Sequence, residues 1–127
     1  MNHFEVGNVG EQLAQEYLLQ NKYKILFCNY RFKNWEVDII AKKQNTLYFV
    51  EVKTRKYKNF KQEKDLTTLP EEEFTFKKRN SFINASKMFL LQNPIYDHSA
   101  LQLCLIGIYL FDNHAPAINF YENILDV

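Results

Sequence analysis

The apolar side chains of this chain recur at two spacings, which divide it into helices and strands. Between residues 5 and 20, Val9, Leu13 and Leu18 recur near the helical spacing, and Asn21 offers a stop. Elsewhere, short apolar runs alternate with polar turns, as is typical of strands. The predicted strands cover residues 24–32, 35–41, 46–53, 101–111 and 117–121, and a second helix is predicted between residues 70 and 92.

This order, αβββαββ, predicts an α/β protein whose mixed β-sheet is flanked by helices, in a single domain spanning residues 1–127. Only residues 42–45 separate the second and third strands, so these two should form an antiparallel hairpin. The segment 101–111 is apolar almost throughout, which predicts a strand covered on both faces. Residues 54–69 are polar, basic and without periodicity, which predicts a flexible basic loop.

The start of the second helix has two candidates. Pro70 suits the first helical position, and the three glutamates that follow it favour the positive end of the helix dipole. Thr75 is an alternative cap. The pair Asn93-Pro94 should end the helix.

Composition limits the class of protein without assigning a function. A chain of 127 residues with 46% hydrophobic residues is long and apolar enough to form a core. The net charge of +1 gives no overall attraction to nucleic acid, but the basic residues are clustered. Such runs are, on their own, typical of a solvated face. The clusters comprise Lys53, Arg55, Lys56, Lys58, Lys61 and Lys64, and then Lys77, Lys78 and Arg79.

The cysteines and the apolar runs predict a location. Cys28 and Cys104 are far apart in apolar surroundings, so we expect buried free thiols in a reducing compartment. The first residues lack the basic and apolar regions of a signal peptide. The longest apolar run, residues 103–111, is too short to span a bilayer. The sequence therefore predicts a cytoplasmic protein with no membrane association.

Two short strings carry the candidate chemistry: residues 36–38 (Glu-Val-Asp) and residues 51–53 (Glu-Val-Lys). Residues two apart in a strand point to the same face. If the two strands pair, three carboxylates and one ammonium group gather on one surface, which is costly unless a cation or a substrate uses them. The apolar residues expected on the opposite face are Val37, Ile39, Val50 and Val52.

This cluster suits the hydrolysis of phosphodiesters. One or two Mg²⁺ ions held by carboxylates can position a water, neutralise the phosphate and assist the leaving oxygen. Because Mg²⁺ prefers oxygen ligands and keeps several waters, it needs few protein ligands. We predict Asp38 and Glu51 as ligands of Mg²⁺ or Mn²⁺, with Glu36 as a further ligand or a contact to one. Lys53 would orient or deprotonate the attacking water, or stabilise the developing charge, and Glu11 is a further acid lining the site.

Each of these features also has a plainer interpretation. Glu51 and Lys53 alone are typical of an ion pair on an exposed strand face. Glu11 alone is typical of a solvated helix residue. The three acids of the two strings would repel one another on one face, which favours a site. The three histidines are dispersed, which gives little support for zinc, and three glycines provide no phosphate-cradling loop for ATP.

Several motifs in fixed order also resemble a known family. They are Gly7-x-x-Gly10-Glu11-x-x-Ala14-x-x-Tyr17-Leu18, Tyr23-x-Ile25, Asn29-x-Arg31, Glu36-Val-Asp38-Ile39-Ile40-Ala41 and Phe49-Val50-Glu51-Val52-Lys53-x-Arg55, continued by Lys78-Arg79 and Ala85. With these motifs the chain resembles the YraN-like family of bacterial proteins. That family is similar to Holliday-junction resolvases and belongs to the PD-(D/E)XK nuclease superfamily. The resemblance covers nearly the whole chain and is densest up to Arg55.

The resemblance implies a restriction-endonuclease-like core, with Asp38, Glu51 and Lys53 in the catalytic motif positions and Glu11 as the additional acid. It implies a metal-dependent endodeoxyribonuclease for branched or structured DNA, and its resolvase-like relatives suggest a homodimer. Two positions depart from the family pattern. Trp35 stands where glycine is usual, and residues 102–104 (Gln-Leu-Cys) stand where relatives commonly carry Arg-Phe-Asp.

Three functions from different classes therefore remain open. The first is a metal-dependent endonuclease, which the triad favours. The second is a nucleic-acid-binding module that uses the same fold without cleavage, with Tyr57 and Phe60 stacking on bases. The third is a protein-interaction domain with an aromatic-rich surface. The residues predicted to bind nucleic acid are Arg55, Lys56, Lys58, Lys61, Lys78 and Arg79.

Overall fold

A mixed sheet of five strands carries the fold, and the computed structural model describes it for residues 1–58 and 76–124. The strands lie in the order β1-β2-β3-β4-β5, and neighbouring strands are antiparallel except for β3 and β4, which are parallel. The α/β class and the order αβββαββ are thus confirmed. The elements are α1 (His3–Gln20), β1 (Lys24–Phe32), β2 (Trp35–Lys43), β3 (Thr46–Tyr57), α2 (Phe76–Gln92), a 3₁₀ turn (Pro94–Tyr96), β4 (Ala100–Phe111) and β5 (Ala117–Tyr121).

The ends of α1 follow from its capping residues. Asn2 accepts a hydrogen bond from the backbone N–H of Glu5, which satisfies one of the unpaired donors at the start of the helix. Asn21 ends the helix as predicted, and its side chain donates to the carbonyl of Tyr17. For α2 the predicted end near residue 92 is confirmed, whereas both predicted starts, Pro70 and Thr75, lie outside the described residues.

The sheet separates two hydrophobic clusters, one beneath each helix. Ala14 and Leu18 of α1 pack on one side. Phe82, Ala85 and Phe89 of α2 pack on the other. Strand β4 contributes to both clusters, which explains its continuous apolar run and confirms that it is covered on both faces. None of the helices in the described ranges is long and apolar enough to cross a membrane.

The predicted loop at residues 54–69 begins too early. Strand β3 continues to Tyr57, because every residue from Thr46 to Tyr57 has a parallel partner on β4. The ring of Tyr57 also stacks on those of Tyr109 and Phe111, with centroids 6.0 and 5.8 Å away. Pairing with an apolar neighbour thus overrides the polar composition of this segment. Residues 59–69 of the predicted loop lie outside the described part of the chain.

Strand β2 changes its packing faces at Asp38. Ile39 packs in the cluster beneath α1, whereas Val37 packs in the cluster beneath α2. Since residues two apart in a regular strand share a face, β2 is irregular between them. Asn29, in the register position beside Asp38 on β1, has a φ of 55° in the left-handed region. The prediction that Val37 packs on the same side as Ile39 is therefore wrong.

The two cysteines differ in their surroundings. Cys104 is buried in the cluster beneath α1, as predicted, and its thiol lies 3.2 Å from the carbonyl oxygen of Glu122. Cys28 is exposed, which contradicts the prediction of a buried thiol. The physical reason is its position on β1, an edge strand whose faces are only partly covered.

Candidate active site

The charged strings meet in one cavity of about 320 Å³, at the end of the β2–β3 hairpin that lies away from its turn. The prediction that the acids of β2, β3 and α1 gather at one place agrees with this geometry. The cavity is also lined by a second lysine, from the start of α2. The charged residues in its wall are Glu11, Glu36, Asp38, Glu51, Lys53 and Lys78.

Asp38 lies between the two strands rather than above them. The hydrogen-bonded pairs of β2 and β3 run from Lys43↔Thr46 to Ile39↔Val50 and end there. Beyond that point, the backbone N–H of Val52 donates to Asp38 Oδ2 at 2.8 Å. A side-chain carboxylate thus takes the hydrogen bond that a regular ladder would give to a backbone carbonyl.

Glu51 and Lys53 form a shielded ion pair. Lys53 Nζ lies 3.3 Å from Glu51 Oε1, and the two side chains are only 16% and 14% exposed, respectively. The plainer interpretation of this string, a solvated pair on an exposed strand face, does not fit such burial. Removing two charged groups from water is costly, so the pair points to a use beyond surface solvation.

Asp38, which is buried, and Glu51, which is largely shielded, are poorly compensated by the protein alone. Burial, reinforced by the charge of Glu51, raises the pKa of Asp38 to about 8, although the Val52 N–H opposes this rise. Burial also raises the pKa of Glu51, and the neighbouring ammonium of Lys53 offsets part of the effect. A cation placed between the two carboxylates would favour their ionised forms.

Glu11 reaches the cavity because α1 crosses β3 at a glycine. A Cβ atom added to Gly10 would lie 1.7 Å from Thr54 Oγ1, so any side chain at this position would force the helix away from β3. The next residue, Glu11, lines the cavity. Burial raises the pKa of Glu11, while a hydrogen bond from the side chain of Asn29 lowers it. Glu11 is therefore not a freely solvated helix residue.

Asn29 is a site residue to which sequence reasoning assigned no role. It combines the left-handed backbone beside Asp38 with a side-chain hydrogen bond to Glu11. Non-glycine residues in this conformation are uncommon and cluster at functional sites. The available signal was an asparagine in the middle of a strand, where that residue type is depleted. His3, which the dispersal of the histidines left without a role, also lines the cavity.

Glu36 lies at the solvent side of the cavity. Its carboxylate is 3.2 Å from the guanidinium of Arg31, and the two side chains are 35% and 71% exposed. Because Glu36 is more exposed than Asp38 or Glu51, it is a weaker candidate ligand than either. Its position suits a contact to bound water or to a ligand at the cavity mouth.

The predicted nucleic-acid-binding residues are spread over several surfaces. Lys78 lines the cavity. Lys56 forms an ion pair with Asp112 at 3.1 Å, away from the acids. Arg55 and Arg79 are half-buried and Lys58 is exposed, while Lys61 lies outside the described residues. Of this set, Lys78 alone among the described residues contributes to the cavity wall.

The side chains at the two positions that depart from the family pattern do not line the cavity. The indole of Trp35 stacks on the ring of Phe32, with centroids 6.1 Å apart, and packs against the cluster beneath α2. Cys104 lies in the core, and Gln102 lines a separate apolar groove on the α2 side. The cavity that holds the acids is thus built without these three side chains.

The oxygen donors of the cavity fit a hydrated metal ion better than a fully protein-bound one. Over residues 1–58 and 76–124, no group of three or more histidine, cysteine or acidic residues forms a complete metal-binding cluster. Asp38 and Glu51 nevertheless provide oxygen donors in a cavity with room for water. Such a pair suits Mg²⁺, which keeps much of its hydration shell, and does not suit a structural zinc ion.

The mixed sheet, the helix on each face and the acids at the open end of a hairpin define a restriction-endonuclease-like α/β fold. The chain belongs to the family described as Uncharacterised protein family UPF0102, whose model matches residues 10–111. That range includes all the acids and both lysines of the cavity wall. The assignment is consistent with the YraN-like resemblance.

Three relatives, each named UPF0102 protein, illustrate this membership. The protein of Caldicellulosiruptor saccharolyticus is 41% identical over 127 residues, which cover 100% of this chain and 94% of the relative. That of Carboxydothermus hydrogenoformans is 36% identical over 126 residues, or 99% of each protein. That of Flavobacterium johnsoniae is 44% identical over 82 residues, covering 65% of this chain and 67% of the relative.

Proposed function

We propose that this chain is a divalent-metal-dependent endonuclease that hydrolyses phosphodiester bonds in DNA, with branched or otherwise structured DNA as its substrate. One observation carries the proposal: the buried carboxylate of Asp38 and the largely shielded carboxylate of Glu51 share an open cavity with the ammonium group of Lys53. A purely structural sheet end would place these charges in water. A nuclease needs them where solvent is limited and a phosphate can enter.

Asp38 and Glu51 would hold Mg²⁺ or Mn²⁺. When bound, the ion would neutralise phosphate charge and lower the pKa of a water molecule. The Val52 N–H fixes one oxygen of Asp38, and the ion pair with Lys53 restricts Glu51, so both carboxylates are held in place. A preorganised pair of this kind loses little entropy when a ligand binds.

Lys53 and Glu11 would act on the reacting groups directly. Lys53 lines the cavity, and its ammonium group would donate to a phosphate oxygen and stabilise charge that develops there. Glu11, held by the side chain of Asn29, lines the same cavity and would accept a hydrogen bond from the attacking water. The basic residues near the cavity, Lys78 first among them, would attract the DNA backbone.

The test is a cleavage screen of the purified protein over linear, flapped and four-way DNA. We expect cleavage with Mg²⁺ or Mn²⁺ and none with EDTA, with flapped or four-way DNA cut faster than linear duplex. Mobility of the products on denaturing gels reports internal cuts. Absence of cleavage on every DNA with both metals would reject the enzymatic proposal.

A second candidate is a protein that binds nucleic acid through the same cavity without cleavage. The observation that favours it is that two lysines, Lys53 and Lys78, line the cavity, where they would contact phosphate without a metal ion. The same screen separates the candidates, because retarded mobility of intact DNA in native gels, with no products in denaturing gels, would support binding alone.

A further inference from the structure

A second cavity adjoins the first. It has a volume of about 210 Å³ and lies between the tip of the β1–β2 hairpin and the start of α2. It shares Glu36, Glu51, Lys53 and Lys78 with the first cavity, so the two are neighbouring parts of one groove. The residues found only in the second cavity are Asn34 and Ser81.

The hairpin and the helix meet across this second cavity. Ser81 Oγ, on α2, lies 3.5 Å from the backbone carbonyl oxygen of Asn34, in the β1–β2 turn. The amide of Asn34 and the hydroxyl of Ser81 add neutral hydrogen-bond donors to a wall that otherwise carries charges. Such donors are among those that commonly contact phosphate oxygens.

Two ammonium groups, those of Lys53 and Lys78, lie in the wall of the second cavity. Glu51 is paired with Lys53, and Glu36 is paired with Arg31. Lys78 is attracted by Glu51 and repelled by Lys53. A phosphate placed between the two ammonium groups would relieve this repulsion.

We propose that the second cavity binds the phosphodiester next to the one that enters the first cavity. The side-chain amide of Asn34 donates a hydrogen bond to it, and the hydroxyl of Ser81 turns from its long contact with the Asn34 carbonyl to donate a second. This inference rests on the proposed function and extends it to the substrate. A groove that holds two consecutive phosphates selects a nucleic-acid strand that continues past the scissile bond. A mononucleotide, or a strand that ends at the reacting phosphate, would leave the second cavity empty.

The first test removes the hydroxyl group on the protein side. The probe is a short fluorescein-labelled oligothymidylate, and Ca²⁺ replaces Mg²⁺ to occupy oxygen-ligand sites. We expect Ser81→Ala to weaken binding about tenfold, the size expected for one hydrogen bond to a charged group. Asn80→Ala, at the exposed neighbouring position on α2, is the matched control and should bind like the wild type.

The second test removes charge on the DNA side. An oligothymidylate with one methylphosphonate beside a non-hydrolysable central linkage should bind the wild type more weakly and bind Ser81→Ala with no further loss. Asn34→Asp, which keeps a turn-forming residue but adds a negative charge, should weaken the unmodified probe more than Ser81→Ala does. Circular dichroism checks that both variants are folded.

The outcomes separate this inference from the proposed cleavage. If Ser81→Ala and Asn34→Asp both bind the probe like the wild type, or if the methylphosphonate penalty persists in Ser81→Ala, the second phosphate site is wrong even where DNA is cut. Suppose instead that Ser81→Ala and the methylphosphonate each weaken binding, that the two losses do not add, and that no DNA is cut. The phosphate site is then supported and the enzymatic proposal fails. Absence of oligothymidylate binding by the wild type would overturn the site.

Discussion

The two ends of the β2–β3 hairpin belong to the same pair of strands but are hydrogen-bonded in different ways. At the turn end, backbone pairing is continuous from Lys43↔Thr46 to Ile39↔Val50. At the open end the pairing stops, and the carboxylate of Asp38 takes the Val52 N–H. Backbone groups alone therefore complete the hydrogen bonds between the strands at the turn end, whereas the open end needs a buried acid to do so.

The two ends also differ in their charged residues: the turn end carries lysines, whereas the open end gathers acids around Lys53. At the turn end, the ammonium of Lys43 lies 4.7 Å from the ring centroid of Tyr23, and its neighbour Lys42 is half-buried. At the open end, the acids of both strands lie with Lys53 in a cavity. A hairpin needs no such burial for stability, so the comparison indicates that the open end is shaped for a ligand.

The largest expected difference between the ends is in catalysis. Lys53→Met should reduce DNA cleavage by about 100- to 1,000-fold, because it removes a charged donor aimed at the phosphate. Lys42→Met, at the turn end of β2, should leave the rate unchanged. Cleavage rates at saturating DNA and Mg²⁺ measure both. Equal rates for the two variants would remove Lys53 from the mechanism.

Substitutions at the two ends of the hairpin should also have different effects on how the free energy of unfolding depends on pH. Burial raises the pKa of Asp38 from 3.8 to about 8, so between these values the folded state retains a proton that the unfolded state has released. In metal-free buffer, unfolding free energy should therefore fall as pH rises through this window, by at most about 1.4 kcal/mol per pH unit. Urea titrations should show a flatter profile for Asp38→Asn and an unchanged one for Lys42→Met. A wild-type profile that rises from pH 5 to 8 would contradict the account.

Two glycines of α1 test how tightly the helix must approach the open end. Gly10→Ala should lower the free energy of unfolding by about 1–3 kcal/mol, because its Cβ meets Thr54. Gly7→Ala has nothing within 4 Å of its Cβ and should raise stability by about 0.5–1 kcal/mol through helix propensity. Chemical denaturation measures both. Destabilisation by Gly7→Ala, or tolerance of Gly10→Ala, would mean that α1 crosses β3 differently.

Two left-handed residues provide the finest comparison. Asn29, with φ of 55°, lies beside the open end, and Gln44, with φ of 54°, lies in the turn. Glycine at either position should stabilise the fold by up to about 1 kcal/mol, since it relieves backbone strain. Asn29→Gly should nevertheless slow cleavage because Glu11 loses its partner, whereas Gln44→Gly should not. Equal cleavage rates would leave Asn29 with a purely structural role.

The strand pairing and the gathering of charges could be predicted because both depend on local spacing. Glu51 and Lys53 lie two residues apart on β3, and a short turn joins β2 to β3. The change of faces at Asp38 could not be predicted, because it departs from the regular alternation of a strand and lies beside a left-handed residue, Asn29, of the neighbouring strand. The extension of β3 to Tyr57 depends on parallel pairing with β4, whose partner residues are distant in sequence. Cys28 is exposed because β1 lies at the edge of the sheet, and the local sequence pattern does not indicate which strand is at the edge.

We propose that the open end of the hairpin holds a divalent ion for phosphodiester cleavage. The decisive measurement is the cleavage rate of four-way or flapped DNA by wild type and by Asp38→Asn as Mn²⁺ is added. We expect a saturable, metal-dependent rate for the wild type and none for Asp38→Asn, although the variant remains folded by circular dichroism. A metal-independent rate, or equal rates for the two proteins, would contradict it.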